Sequence, residues 1–145
     1  MTTSQTILIV EARFHEDLAD ELYAGAEAYL TANGYKAERL SVPGAFEIPA
    51  AIAMAAHESD FAGYVALGVV IRGETSHYDY VCGESARGLQ DLAVQDHLAI
   101  GYGILTTENG EQAWARADRK RGNKGRAAAK ACVDMINIKQ RFGVK

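Results

Sequence analysis

The sequence is short of most features that announce a specialised class of protein. It has two cysteines, two prolines and one tryptophan in 145 residues. Cys82 and Cys132 do not stand at metal-ligand spacing, and in a chain of this kind they read as small buried residues rather than as a disulfide. No apolar run approaches the roughly 18 residues of a membrane span. Residues 1–6 lack the basic start and apolar middle of a secretory signal, so the expectation is a cytoplasmic chain with no membrane partner. Positive charge is not in excess: 15 Lys and Arg against 19 Asp and Glu leave a net charge of -4, which argues against a dedicated nucleic-acid binder. Gly122-Asn123-Lys124-Gly125 is too short for a P-loop. No glycine-rich dinucleotide fingerprint follows the first strand, no His and Cys spacing matches zinc, and there is no G-x-S-x-G elbow. Repeats, low-complexity tracts and linkers are missing too, so one domain over residues 1–145 is expected, with residues 1–6 as a flexible N-terminal arm.

What remains is an ordinary globular composition, 48% apolar and 23% charged, arranged in alternating patterns. Ile7-Leu8-Ile9-Val10 is a wholly apolar, β-branched run, the mark of a strand covered on both faces. From Asp17, the apolar positions Leu18, Leu22, Ala26 and Tyr29 recur at helical spacing, and Asn33-Gly34 supplies a stop. Residues 36–42 alternate as a strand with Leu40 and Val42 on one side, and residues 48–56 fit a short helix with Pro49 in its first turn. Residues 64–71 are the longest apolar run and the best central strand. A helix over 79–93, a last strand over 98–105, and helical stretches over 111–117 and 125–139 complete the chain. Four strands alternating with helices give an α/β domain with a four-stranded, mainly parallel sheet flanked by helices.

Ligands of such sheets bind beyond the carboxyl ends of the strands, which singles out residues 11–15, 43–47, 72–77 and 106–109. These loops hold the unusual side chains. Phe14 can cover a core edge or offer a face to a planar ligand. Glu47 can act in its helix's first turn or as a fixed acceptor for two hydroxyls. In Arg72-Gly73-Glu74-Thr75-Ser76-His77 the glycine permits close backbone approach, the helix start favours an anion such as phosphate, and His77 can pass protons near neutral pH. His15 is a lesser candidate, and His57 and His97 read as surface or helix-end residues. Seven of the fifteen basic residues lie between Arg116 and Lys130. They form either a solvated face or an anion site, in which Arg116 and Lys124 would matter if the segment reaches the phosphate-favouring loop, in the same subunit or a neighbour.

The segments Val42-Pro43-Gly44-Ala45-Phe46-Glu47-Ile48-Pro49, Ala66-Leu67-Gly68-Val69-Val70-Ile71-Arg72-Gly73-Glu74-Thr75-Ser76-His77-Tyr78-Asp79-Tyr80-Val81, Leu105-Thr106-Thr107-Glu108-Asn109 with Glu111-Gln112-Ala113, and Gly122-Asn123-Lys124-Gly125 together resemble the 6,7-dimethyl-8-ribityllumazine synthase family. The resemblance runs from about residue 7 to 142. It implies a flavodoxin-like three-layer sandwich and the cofactor-free, metal-free condensation of 5-amino-6-(D-ribitylamino)uracil with 3,4-dihydroxy-2-butanone 4-phosphate, the penultimate step of riboflavin biosynthesis. It also implies roles. His77 would be the catalytic proton shuttle, and Phe14 would stack on the pyrimidine. Ala45, Phe46 and Glu47 would hold the ribityl chain, and the backbone of Val70 and Ile71 the pyrimidine edge. Gly73, Glu74, Thr75 and Arg116 would hold the phosphate. Lys124 would lie near the site, and Tyr102, where the family usually has Phe, would cover the ring from an adjacent subunit. The family's partners are further copies of itself, in pentamers or multiples of pentamers. His15 stands where Asn is common, and the short N-terminal arm and Arg119, Lys120 and Arg121 bear on higher assembly. The alternatives are a non-catalytic flavin or lumazine carrier on the same fold, or a purely structural shell protein.

Overall fold

Runs of aliphatic residues with little polar relief can be strands only if both faces are covered, and connections long enough to hold a helix let successive strands run the same way. A computed structural model describes residues 3–145 of the chain. Its elements, in order, are β1 (Thr3–Ala12), α1 (Glu16–Ala32), β2 (Lys36–Val42), a 3-10 turn (Ala45–Glu47), α2 (Ile48–Glu58), β3 (Phe61–Ile71), α3 (His77–Gln95), β4 (Ile100–Thr107), α4 (Gly110–Ala117) and α5 (Lys124–Phe142). All three strand pairings are parallel and the order is β2-β1-β3-β4. The chain is thus the expected α/β domain, with helices on both faces of the sheet.

The pleat sorts the core into two halves. Ile7, Ile9, Val65, Leu67 and Leu105 meet α1, α4 and α5 through Leu18, Leu22, Leu30, Ala113, Ala117 and Cys132. Leu8, Val10, Tyr64, Ala66 and Ile104 meet α2 and α3 through Ile48, Ile52, Val81 and Leu89. Each buried Val, Leu or Ile among them contributes roughly 1.5–3 kcal/mol on burial. The first helix ends as its sequence implies: Gly34 turns back at φ 85° and the Tyr35 N–H donates to the Leu30 carbonyl at 2.9 Å, closing the last turn.

Three expectations change. Residues 3–6 belong to β1 rather than to an arm, and Thr3 pairs with Phe61 past an irregularity before Ile7; Met1 and Thr2 lie outside the described residues. Leu40 and Val42, expected on one side of their strand, differ in burial, Leu40 exposed and Val42 half-buried, because β2 is an edge strand whose faces are only partly covered. Cys132 is buried as expected, but Cys82 is only half-buried; both are free thiols. Burial pushes the Cys132 thiol up to about 12, so it packs as a small apolar group.

Two glycines set how closely α5 packs against its neighbours. A methyl group at Gly101 would overlap the Ala128 carbonyl oxygen, and one at Gly125 the Leu22 carbonyl oxygen. Hence α5 rests directly on β4 and on α1. We expect Gly101→Ala to destabilise the fold by about 1–3 kcal/mol through overpacking. Gly110→Ala, at the start of α4 with nothing within 4 Å of the added methyl, should be neutral or stabilising by up to about 1 kcal/mol. Urea denaturation of the two variants checks this, and equal midpoints would contradict it.

Candidate active site

The four loops at the carboxyl ends of the strands do collect on one edge, and three of them build a cleft of about 620 Å³. Phe14 and His15 come from the β1–α1 loop, Gly44 to Glu47 from the 3-10 turn after β2, and Val69 to Ile71 from the end of β3. His77, Tyr80, Val81 and Glu84 come from one face of α3. Phe14 is 81% exposed, which excludes the core-edge alternative: its ring is a free aromatic surface. It meets His15 edge-on at 4.9 Å. Glu47 is the N-cap residue of α2 but makes no side-chain cap bond, so its carboxylate remains available to the cleft.

Strand register creates a second recognition element. Pairing of β1 with β3 stops at Glu11 and Leu67, whereas β3 continues beside β4 to Ile71 and Thr107. Beyond Leu67, then, β3 has no strand neighbour on its β1 side. The Arg72 N–H donates to the Thr107 carbonyl at 2.9 Å. By alternation the peptide group of Val70 also turns toward β4, while those of Val69 and Ile71 turn toward the vacant side. Ile71 therefore turns a donor and an acceptor toward the cleft. For Val70 the expectation moves to Val69, and Val70 itself contributes to the cleft wall.

Next to the cleft, the β3–α3 loop is tightly held. Arg72 Nε donates to both Glu108 carboxylate oxygens at 3.0 and 3.2 Å, and Nη1 lies 3.6 Å from Asp79. Its guanidinium also sits 4.3 Å from the centre of the Tyr78 ring. The Glu108 bond raises the Arg72 pKa above its ordinary value. Glu108 is itself placed by a reciprocal cap on α4: its N–H donates to Gln112 Oε1 at 2.8 Å, and the Gln112 N–H donates to Asn109 Oδ1 at 2.9 Å. Thr75 Oγ1 accepts from the His77 N–H at 3.3 Å at the start of α3. Gly73 has open space around it. Gly73, Glu74 and Thr75 thus border the cleft without lining it, beside a cation already committed to two carboxylates.

The sequence model described as 6,7-dimethyl-8-ribityllumazine synthase matches residues 4–140. The chain belongs to that family. Among its relatives is 6,7-dimethyl-8-ribityllumazine synthase 1 of Rhizobium meliloti (strain 1021), 57% identical over 96% of this chain and 94% of that one. The 6,7-dimethyl-8-ribityllumazine synthase of Erythrobacter litoralis (strain HTCC2594) is 59% identical over 94% and 96%. That of Sphingopyxis alaskensis (strain DSM 13593 / LMG 18877 / RB2256) is 56% identical over 95% and 97%.

Of the residues to which the lumazine synthase resemblance gives a role, the cleft gathers Phe14, Ala45, Phe46, Glu47, Val70, Ile71 and His77. It does not gather Tyr102, Arg116 or Lys124. These line a separate cleft of about 320 Å³ along the outer edge of β4, with Thr106 and Ala127. In the basic segment, Arg119 pairs with Glu21 at 3.1 Å, Arg121 with Asp118 at 3.1 Å and Lys130 with Asp134 at 2.8 Å, and Arg126 lies 5.0 Å from the Tyr29 ring centre. Arg116 only donates to the Gln112 carbonyl at 3.0 Å. Among the described residues neither Arg116 nor Lys124 is paired with a carboxylate. Most of this segment is therefore the solvated face, and two cations are left for the second cleft. His57 sits exposed in the last turn of α2 and His97 in a positive-φ turn after α3, as expected.

Sequence reasoning missed Tyr80 and Glu84, which follow His77 at helical spacing and could have been found from that periodicity. It also missed an ionic cluster beneath Phe14. Glu11, fully buried at the end of β1, is bonded by Arg39, by the Ser41 hydroxyl at 3.2 Å and, at 3.4 Å, by Arg13. Asp20 of α1 accepts from Arg13 at 2.7 Å and from Arg39 at 2.8 Å. The bonds from Arg13 and then Arg39 hold the Asp20 carboxyl below its ordinary 3.8. A depressed folded value means that its stabilisation is present above the ordinary value and is lost as pH falls through the folded one. We expect the thermal midpoint of the wild-type chain to fall more steeply between about pH 5 and 2 than that of Asp20→Asn, the two curves converging in acid. Parallel curves would contradict the assignment.

Proposed function

We propose that the chain is a 6,7-dimethyl-8-ribityllumazine synthase, a transferase of riboflavin biosynthesis. It condenses 5-amino-6-(D-ribitylamino)uracil with 3,4-dihydroxy-2-butanone 4-phosphate. The observation that carries this reading is a single cleft in which a free aromatic ring, a vacant strand edge and an imidazole meet. The pyrimidine stacks on Phe14, and its polar edge bonds the outward peptide groups of Ile71 and Val69. The ribityl hydroxyls run toward Ala45, Phe46 and the unengaged Glu47 carboxylate. The ketone phosphate lies toward Gly73, Glu74 and Thr75 at the start of α3, where the positive end of the helix dipole favours an anion.

The chemistry then needs proton transfers more than covalent help. The 5-amino group attacks the ketone and loses water to give an imine, phosphate is eliminated, and the ribitylamino nitrogen closes the second ring with loss of a further water. His77, at the cleft wall, takes and returns the protons, a role worth about 10²–10⁴ in rate. Holding both substrates in reacting geometry supplies much of the rest. A carrier of riboflavin would have no use for a phosphate site beside a proton shuttle.

The phosphate end needs a free cation, and Arg72 is spent on Glu108 and Asp79. We infer that Arg116 and Lys124 of a neighbouring copy supply it and that Tyr102 of that copy closes over the ring, in a cytoplasmic pentamer or a multiple of pentamers. The exposed rings of Phe14, Phe46 and Tyr80 support covering of this edge by another copy. Incubation of the wild-type chain with both substrates should generate lumazine absorbance. His77→Ala should lower turnover about 10²–10⁴-fold with pyrimidine affinity almost unchanged, whereas Phe14→Ala should weaken pyrimidine binding about tenfold. Loss of affinity alone in both variants would contradict the roles.

A further inference from the structure

Phe14 presents a problem of mechanics. A ring so exposed has almost no packing to fix it, and its one aromatic contact, His15, belongs to the same short loop. The helix that follows offers little anchorage, because His15 is the N-cap of α1 and makes no side-chain cap bond. A stacking platform that wanders must be ordered when ligand binds, at a cost in affinity.

The anchorage lies one residue upstream. The row Ile7, Ile9, Glu11 of β1 points into the α1 side of the core, and its last member replaces an aliphatic side chain by a fully buried carboxylate. Arg13, which leaves β1 and directly precedes Phe14, reaches back to Glu11 at 3.4 Å and forward to Asp20 at 2.7 Å, with Glu16 at 3.8 Å. It therefore ties the end of the strand to the first two turns of the helix, across the loop that holds the ring. Arg39 completes the cluster from β2 by bonding Glu11 and Asp20, so Glu11 keeps a guanidinium partner even without Arg13.

We propose that Arg13 is a positioning residue: it fixes the Phe14 ring ahead of binding by clamping both ends of its loop. Arg13 touches no substrate. Its value to the reaction is transmitted through Phe14, and the proposal rests on the reading that Phe14 stacks on the pyrimidine. Positioning through one partner has a distinctive consequence: the two residues cannot contribute independently.

The test is a cycle of wild type, Arg13→Ala, Phe14→Ala and the double variant, each as the intact oligomer. Arg13→Ala should raise KM for the pyrimidine about three- to tenfold, leaving kcat and KM for the ketone phosphate nearly unchanged. Introduced into Phe14→Ala it should add almost nothing. Hydrogen exchange of the amides of residues 13–17, measured without ligand, should quicken in Arg13→Ala while the core of β3 keeps its protection. Additive losses in the cycle, or unchanged exchange in the loop, would overturn the proposal. A wild-type chain that fails to bind the pyrimidine would instead overturn the functional reading, and the exchange measurement would still decide whether Arg13 holds the loop.

Discussion

Every connection between strands must travel the length of the sheet, because all four strands run in one direction. This constraint organises the molecule. Helices carry the chain back along the two faces, and the loops that launch them gather at one edge, where β-strand carboxyl ends and helix amino ends meet. Side chains far apart in sequence, such as Phe14, Glu47 and His77, share a cleft for that reason alone. The overhang of β3 beyond β1 adds to this: past Glu11 and Leu67 the peptide groups on that side of β3 have no strand partner among the described residues and must find another.

Charge is distributed with equal consequence. Near the first cleft, Arg72, Arg13 and Arg39 are bound to carboxylates that shape loops. Arg116 and Lys124, which have no carboxylate partner among the described residues, lie across the outer edge of β4, brought there by α4 and by the close seat of α5 on β4 at Gly101 and on α1 at Gly125. One chain therefore holds an exposed aromatic ring and an imidazole in one cleft and two cations in the other. In the assembly we propose, the two halves become complementary when a second copy places its outer edge against the first cleft.

The sheet and its helices were legible because their signals are local. A fully apolar run specifies a strand covered on both faces, and a spacing of three or four specifies a helix, without reference to anything distant. The loop residues were legible because few of them make sense as packing. What escaped depended on partners that no local pattern reveals. Glu11 reads as the first residue of a loop until Arg39, 28 positions away, is seen beside it. The exposure of Leu40 was not legible because alternation does not say whether a strand lies at an edge. The peptide direction of Val70 needed the register of β3 against β4, and the division of the cations between two clefts needed the full path of the chain.

We infer that the reaction requires both clefts but not from the same chain. Mixing His77→Ala with Arg116→Ala, after dissociation and reassociation, tests it most directly. In a ring of mixed copies, about a quarter of the interfaces pair an intact first cleft with an intact second one. Turnover should therefore reappear at about a quarter of the wild-type value from two variants that are each nearly inactive alone. Mixed oligomers verified by native mass measurement that remain as inactive as their parents would contradict the account.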